Sequence, residues 1–554
     1  MSPTKPPASG LPPTGTVHAP HCIDPAACRE WIARLPMMNP PLAQKALLDE
    51  LRLLDAYSLP ATRRLELLEA LQTPVRFVQQ ENAPLFAGKP MPLAPIEQAA
   101  LETTHALWQA LLMGYLRCLQ SLTGGDADLR PRAALVCERA LAILADDFAD
   151  LMRGGWQADS KTWRFAHRVY ASAETLGVTQ VAVADPARGE NGAQAVSPAM
   201  AYVELALLAM ASLHELAPRQ QRWVMRWARR WSAKVKVLAA APPLGDALPL
   251  CVDLAGDAPP RFLPYEGPGA RWLDTGALQK SMMKRLVLLA RQDPAVTPAS
   301  LGLGEDCTLP SCAEVLRGLY PRWVKGGVQR RHARHPLSGQ CRFVAGVDAI
   351  HYYVSGRQPF RPSGSLSDEA LRRQRETMAM FDGGPAGFAE ETSRELGFQT
   401  ESWTLAEDWG MFDRSEAGLC LTRPIEREGG RLAIGQLVAV QPASSGGFLL
   451  GVVRWTQQRG NDLATGIQLM PGRPEAVAVR RTGVMATPDP YRPGFILPAV
   501  EAARQPVSLI LPLGSFKAGR IMEVRTPPVA RRFRLEELIE RGADFERVRC
   551  VEVE

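Results

Sequence analysis

Residues 413–423 of the chain read DRSEAGLCLTR, a polar segment that contains a glycine and runs directly into a short strand-forming stretch. Similar stretches, each bounded by turn-forming residues, precede and follow it: CRFVAGVDAIHYYV (341–354), QLVAVQ (436–441), GFLLGVVRWTQ (447–457) and LATGIQLM (463–470). Short β-rich runs separated by turns are typical of an antiparallel barrel or sandwich. We therefore predict a small β-domain over residues 321–475.

Two further regions complete the C-terminal half. A charged, helix-favouring stretch at about residues 355–402 interrupts the strand pattern, and we interpret it as an insertion between strands. After residue 476 come the strand-like runs FILPAV (495–500), VSLILPL (507–513), GRIMEVRT (519–526) and VRCVEVE (548–554), with a predicted helix at LEELIERG (535–542). Residues 476–554 are thus predicted to form a second β-rich unit.

The N-terminal half has a different period. Between residues 26 and 320 the apolar residues recur at three, four and seven positions, as in LAQKALLDELRLLDAY (42–57) and PRAALVCERALAILADDFADLM (131–152). This spacing predicts some eight to ten amphipathic helices, arranged as a bundle or as a solenoid. The acidic pair Asp146–Asp147 is predicted to be exposed on its helix, and the Pro- and Gly-rich residues 239–275 are predicted to form an irregular crossing.

The predicted fold class is therefore multidomain α + β: an all-α helical region, then a small antiparallel β-barrel, then a β-rich C-terminal unit. The Pro-rich residues 1–25 lack the apolar core of a signal peptide, and we expect a disordered leader. Glu204, His214 and Glu215 interrupt the most apolar stretch, so no membrane span is predicted. Scattered cysteines and a net charge of +6 fit a cytoplasmic protein with reduced thiols.

Two short motifs carry the functional argument. Residues 329–334, QRRHAR, contain an Arg-x-x-x-Arg pair just before the first strand, and residues 413–418, DRSEAG, form Asp-x-Ser-x-x-Gly before a later strand. In this order the two motifs resemble the PilZ family, whose small β-barrel binds cyclic-di-GMP through an Arg-rich lead-in and a D/NxSxxG turn. The resemblance covers about 150 of the 554 residues. It implies a nucleotide receptor that needs no other cofactor and catalyses no reaction.

The resemblance assigns the basic residues to the phosphates and the purine rings. Arg330 and Arg334 take these roles, since a planar guanidinium forms forked hydrogen bonds to phosphate or to guanine and also stacks on the base. Arg331 is an additional cation that would help a second ligand molecule to stack. The alternative interpretation is a solvated basic turn.

The second motif supplies the polar contacts. By the same resemblance Asp413 accepts from the guanine N–H groups, Ser415 adds a hydroxyl contact, and Gly418 permits a close backbone approach where a side chain would collide. The alternative here is an Asx-type turn that leads into a strand. The long separation between the two motifs departs from the family pattern and leaves the strand pairing undecided.

Other residue patterns are weaker. Trp223, Trp227 and Trp231 form a stripe on one helix face among several arginines, which would suit a membrane surface or nucleic acid but which we interpret as core. His332 and His335 are too close in a loop to predict a metal site, and no nucleophile–base pair is evident.

The preferred function is a cyclic-di-GMP receptor that couples nucleotide binding to a helical region with a protein partner. The alternative is a scaffold whose degenerate barrel binds no nucleotide. A third and weaker hypothesis is an RNA or single-stranded DNA binder, since small barrels and Arg-rich helices also serve that role.

Overall fold

The computed structural model divides the chain into two compact units: one comprises Met1–Lys89 and Leu93–Gln329, the other Pro90–Pro92 and Arg330–Glu554. The structure describes residues 18–185, 194–242, 249–263, 265–291, 293–326, 335–360, 406–482, 489–526 and 529–553. Most of the predicted leader and of the predicted insertion lies outside these ranges. The predicted domain boundaries remain predictions.

The first unit is mainly helical. Its helices are α1 (Pro25–Ala33), α2 (Pro40–Ala56), α3 (Ala61–Asn82), α4 (Pro95–Thr123), α5 (Ala133–Arg153), α6 (Ser160–Thr175), α7 (Pro198–Met210), α8 (Pro218–Trp231), α9 (Gly276–Ala290) and α10 (Ser311–Trp323). Its strands are β1 (Val183–Asp185), β2 (Gln194–Val196), β3 (Lys236–Leu238), β4 (Leu250–Asp253) and β5 (Ala270–Asp274). The helical region predicted from the apolar period is confirmed.

Several of these helices begin in the same way, with a polar cap followed by proline. Asp24 Oδ1 accepts from the Ala26 N–H at 2.8 Å at the start of α1, and Ser197 Oγ accepts from the Met200 N–H at 3.3 Å at the start of α7. Proline at the first helical position has the required φ angle and lacks a donor that would be unpaired there. The sequence therefore fixes these boundaries locally.

Helix α5 is the centre of this unit. It packs against α4, α6, α7 and α8, and 18 of its 21 residues are buried. A helix surrounded on all sides is expected to be apolar throughout, yet α5 carries three carboxylates near its end. The arrangement is a bundle around α5.

The prediction that Asp146 and Asp147 are exposed is wrong. The Asp147 side chain is only 1% exposed and contacts His105 Nδ1 at 2.8 Å, while Asp146 accepts from Arg229 at 3.0 Å and pairs with Arg76. Burial raises the pKa of Asp147, and its bonds with His105 oppose that shift. The pair is buried because basic groups on other helices surround it, a tertiary effect that helical period alone cannot show.

The tryptophan stripe of α8 lies in the core, as predicted. Trp223, Trp227 and Trp231 are at most 1% exposed. The Trp227 indole N–H donates to the Leu303 carbonyl at 2.8 Å, and Trp223 donates to Asp306 at 2.9 Å. The stripe therefore anchors the segment that leads into α10, and its indoles are not available to a membrane or to bases.

The irregular crossing predicted for residues 239–275 contains regular structure. Strands β3, β5 and β4 form an antiparallel three-stranded sheet in that order. Each strand has only three to five residues, too short for an alternating pattern to show in a Pro- and Gly-rich sequence.

The second unit consists of two closed barrels. The first contains β6 (His335–Ala345), β7 (Glu407–Ser415), β8 (Gly418–Pro424), β9 (Leu437–Pro442), β10 (Leu449–Arg459) and β11 (Asp462–Leu469). The second contains β12 (Glu475–Arg481), β13 (Arg492–Leu497), β14 (Ser508–Pro512), β15 (Ile521–Thr526), β16 (Val529–Arg541) and β17 (Phe545–Val553). Helix α11 (Val347–Val354) follows β6.

All strand pairs of both barrels are antiparallel. The first barrel has the order β10-β11-β8-β7-β6-β9 and the second β12-β13-β14-β17-β16-β15, each closing on itself. Closure removes the exposed edges that an open sheet would present. The two barrels share an apolar core to which α11 contributes Ile350, the first barrel Leu437 and Val452, and the second Phe495 and Phe545.

Two predicted elements of this unit are wrong. The run CRFVAGVDAIHYYV is a strand only up to Ala345; Gly346 has a φ of +90°, and α11 follows. The predicted helix LEELIERG is part of strand β16. A β-bulge in β16 between Leu535 and Glu537 allows Leu535 and Leu538, three residues apart, to contact the same barrel core, which imitates a helical period.

All ten cysteines lie in the described ranges, where each is buried and free. None of the described helices combines the length and apolar character that crossing a membrane requires.

One prediction concerns Asp150 of α5, which accepts from the Trp108 indole at 2.8 Å. Burial raises the pKa of Asp150 from 3.8 to about 6. Between these values the native state binds a proton that the unfolded state has lost, so this carboxyl destabilises the native state increasingly as pH rises to about 6. We expect Asp150→Asn to increase the free energy of unfolding by about 1–3 kcal/mol above pH 7, with the gain disappearing near pH 4.

Urea denaturation across this pH range measures the difference. Asp146→Asn is the matched control, because it removes a carboxylate that pairs with both Arg76 and Arg229 and should destabilise the protein at pH 7. If Asp150→Asn increased the free energy of unfolding by the same amount at every pH, the gain could not come from removing the buried charge of Asp150.

Candidate functional site

The structure describes three of the six predicted ligand-binding residues. Arg330, Arg331 and Arg334 lie in residues 327–334, outside the described ranges. Asp413 and Ser415 lie on β7, and Gly418 is the first residue of β8.

The DRSEAG segment is a tight β-hairpin. Ser415 lies directly opposite Gly418, and Glu416 and Ala417 form the turn between them. The Ser415 hydroxyl donates to the Gly418 carbonyl at 3.4 Å, and the Ala417 carbonyl accepts from the Leu469 N–H at 2.9 Å. The second bond fastens the turn to β11 and fixes its position on the barrel.

Gly418 is required by the barrel itself. A Cβ atom added at this position would lie 2.7 Å from the carbonyl oxygen of Ile467 on β11, closer than real Cβ contacts. The close approach at this glycine is made by the protein's own backbone, and the close approach of a ligand there stays a prediction.

The start of β6 lies beside this hairpin. His335 pairs with Arg414, and Pro336 pairs with Asp413. In the sequence His335 directly follows Arg334. The strand register thus brings His335 and Pro336 next to the Asp-x-Ser-x-x-Gly hairpin, although they are far from it in the chain.

Two rows of paired residues cross the outer surface of the first barrel here. One row runs from Ser415 through Gly418 to Gln468; the other contains Asp413, Cys420, Gly466 and Trp455. Directly paired residues point to the same side of a sheet. Gly418 leaves the backbone bare beside Ser415 and Gln468, whereas the Trp455 ring packs directly over Gly466 and covers it.

Three register breaks surround this surface. They lie in β6 between Pro336 and Gly339, in β7 between Met411 and Asp413, and in β10 between Val453 and Trp455. Bulges redirect side chains and are frequent beside functional sites. Here the break in β7 leaves Phe412 62% exposed on the barrel surface.

The structure adds two residues that the sequence did not suggest. Gln468 is exposed at the end of the first row, and its Oε1 accepts from Arg454 Nε at 2.7 Å. The stretch that contains Arg454 was predicted as a strand, but the direction of the side chain depends on the bulge in β10. That bulge has no signal in the sequence.

Arg423 on β8 differs from Arg454, because it is an arginine with a structural role. It is 2% exposed, lies over the Trp409 ring and donates to the carbonyls of Arg427 at 2.6 Å and Gly430 at 3.1 Å. Burial lowers the pKa of its guanidinium, and the charge of Glu407 opposes that shift. Arg423 holds the loop after β8 and is not available to a ligand.

A metal site is not evident where the structure describes the chain: those ranges contain no group of three or more His, Cys, Asp or Glu residues suited to hold an ion.

Comparison with known proteins shows similarity at both ends of the chain. Residues 26–242 match the family model described as the cyclic-di-GMP receptor FimW, N-terminal domain, and residues 477–551 match the FimW C-terminal beta-barrel domain. The chain is 23% identical over 544 residues to the cyclic-di-GMP receptor FimW of Pseudomonas aeruginosa, covering 90% of this chain and 86% of that protein. Neither description names a PilZ domain.

The contact at Gly418 generates a prediction about stability. In Gly418→Ala the added methyl group must displace the backbone of β11 or of the hairpin, so we expect the free energy of unfolding to fall by about 1–3 kcal/mol. Gly446→Ala is the matched control, since a Cβ there meets no atom within 4 Å. Denaturant unfolding that gave equal stabilities for the two variants would contradict the structural role of Gly418.

Proposed function

We propose that this chain is a cyclic-di-GMP receptor whose first barrel binds the nucleotide between the Arg-rich lead-in at residues 330–334 and the hairpin at residues 413–418. The observation that carries the proposal is the pairing of His335 with Arg414, because His335 directly follows the Arg-rich lead-in in the sequence and Arg414 lies within the second motif. The PilZ-like character of this barrel is part of the proposal.

Chain connectivity limits how far the arginines can be from the hairpin. Consecutive Cα atoms are about 3.8 Å apart, so Arg334 has little freedom relative to His335. Arg330 is five residues before His335 and can be no more than roughly 18 Å away along an extended chain. Both guanidinium groups can therefore reach a ligand on the surface defined by Ser415, Gly418 and Gln468.

The chemistry of this surface suits a cyclic dinucleotide. Arg330 and Arg334 supply forked donors for phosphate oxygens or for a guanine edge. Asp413 accepts from guanine N–H groups, and the Ser415 hydroxyl donates to a ligand oxygen once it leaves its long 3.4 Å bond to Gly418. The bare backbone at Gly418 lets the ligand lie close to the sheet.

The comparison with FimW supports the same proposal, since that relative is named a cyclic-di-GMP receptor and is similar over most of its length. A receptor role also agrees with our expectation of a cytoplasmic protein that is not an enzyme.

We propose that the helical unit binds a protein partner. Helix α9 supports this, because its apolar residues Met283 and Val287 are 41% and 47% exposed.

One observation favours the alternative, a scaffold whose barrel binds no nucleotide. The contact between Gly418 and Ile467 explains the glycine at the end of the DRSEAG motif without any ligand. Asp413 and Ser415 could then serve only the hairpin. A binding measurement separates the two functions.

The experiment is calorimetric titration of cyclic-di-GMP into the full-length protein and into Arg334→Ala and Ser415→Ala. Removing a charge-assisted contact costs about 1.5–3 kcal/mol, so we expect Arg334→Ala to weaken binding at least tenfold. Ser415→Ala removes a neutral hydroxyl and should weaken it less. Arg427→Ala is the control, because Arg427 lies in the loop beyond the far end of β8 and should not alter the affinity.

A folded wild-type protein that gave no heat of binding would overturn the receptor proposal and leave the scaffold as the better account. Equal weakening in Arg334→Ala and Arg427→Ala would show a non-specific attraction between an anion and a basic surface.

A further inference from the structure

Arg454 occupies an unusual place on β10. Val453 pairs with Ile467 and Trp455 pairs with Gly466, so Arg454 is the extra residue of a β-bulge between two consecutive positions of β11. A bulged residue is released from the regular alternation of the strand, and its side chain takes a new direction. The Arg454 side chain consequently reaches across β11, and it remains 42% exposed.

That direction leads to the surface of the proposed nucleotide site. Arg454 Nε donates to Gln468 Oε1 at 2.7 Å, and Gln468 is paired with Gly418, which is paired with Ser415. Neighbouring strands are about 4.8 Å apart, so Gln468 and Ser415 are separated by about 10 Å. The guanidinium of Arg454 therefore borders the proposed site on its β10 side.

The second barrel holds this guanidinium in place. Arg454 Nη2 lies 2.6 Å from Glu540 Oε1, and the Glu540 side chain is 22% exposed. Glu540 lies on β16 directly after the second bulge of that strand, which falls between the pairs Leu538–Val548 and Glu540–Arg547. One acidic residue of the second barrel thus orients Arg454 and also offsets its charge.

We propose that Arg454 is a further ligand-binding residue that contacts a phosphate of the cyclic dinucleotide from the β10 side, and that Glu540 sets the strength of this contact. The inference rests on the proposed function. A cyclic dinucleotide has two phosphates, and this geometry offers one of them an arginine on the β10 side of the hairpin row. Glu540 positions Arg454, yet as a carboxylate it also repels the anionic ligand.

This dual role of Glu540 gives predictions of opposite sign. Arg454→Ala removes a charge-assisted contact and should weaken cyclic-di-GMP binding about tenfold. Arg454→Lys keeps the charge but not the forked geometry, so its affinity should lie between those of the wild type and Arg454→Ala. Glu540→Gln keeps an oxygen that accepts from Arg454 while removing a negative charge, and it should tighten binding about threefold.

The measurement is calorimetric titration of cyclic-di-GMP into the full-length variants at low and at moderate salt, with thermal unfolding recorded for each. Arg480→Ala and Glu523→Gln are matched controls, because they alter a similar ion pair of 2.9 Å that lies within the second barrel. Neither control should change the affinity. The effects of Arg454→Ala and Glu540→Gln should both shrink as salt rises, since ions screen exposed charges.

The outcomes distinguish this inference from the proposed function. If the wild type binds and Arg334→Ala weakens binding while Arg454→Ala and Glu540→Gln leave it unchanged, Arg454 only ties the barrels together and the inference is wrong. If the wild type does not bind, the proposed function itself fails. If Arg454→Ala does not fold, Arg454→Lys and Glu540→Gln still test the inference. A purely structural tie between the barrels would lower the stability of both variants, whereas a ligand contact would weaken binding in Arg454→Lys and tighten it in Glu540→Gln.

Discussion

The pairing of β6 with β7 is the constraint on which the second unit depends. These strands are separated in the chain by α11 and by the residues between 361 and 405, yet they pair from His335–Arg414 to Phe343–Glu407. The entropic cost of closing a loop grows only by about 0.6 kcal/mol for each doubling of its length. A long excursion is therefore tolerated, provided that the strands on either side bury enough apolar surface, which Phe343 and Trp409 do.

Several features follow from this pairing. It closes the first barrel, so that the described strands β6–β11 leave no open edge there. It also places the start of β6 beside the β7–β8 hairpin. Because β6 runs into α11, the same strand delivers Ile350 to the core shared with the second barrel, and so the closure of one barrel and the packing of the other are linked.

The sequence was informative where a structural feature depends on local chemistry. The apolar period marked the helical region, and the DRSEAG segment marked a turn before a strand. It failed where a feature depends on register or on distant partners. A bulge of β16 made Leu535 and Leu538 look helical, the bulge of β10 concealed the direction of Arg454, and the burial of Asp147 depends on His105 of another helix. Each case requires knowledge of which strand or helix lies opposite, and that information is not local.

Gly418 and the arginines provide different kinds of evidence about function. A barrel that had lost its ligand would still need glycine at residue 418, because the Ile467 carbonyl leaves no room for a side chain. The hairpin motif is therefore stronger evidence for the fold than for a bound ligand. The described arginines differ in a similar way, since Arg423 is buried and holds the loop after β8, whereas the Arg454 side chain is 42% exposed beside Gln468 and Glu540. The proposal of nucleotide binding consequently rests on Arg330 and Arg334, which precede β6 in the sequence, and on Arg454 on the β10 side of the hairpin row.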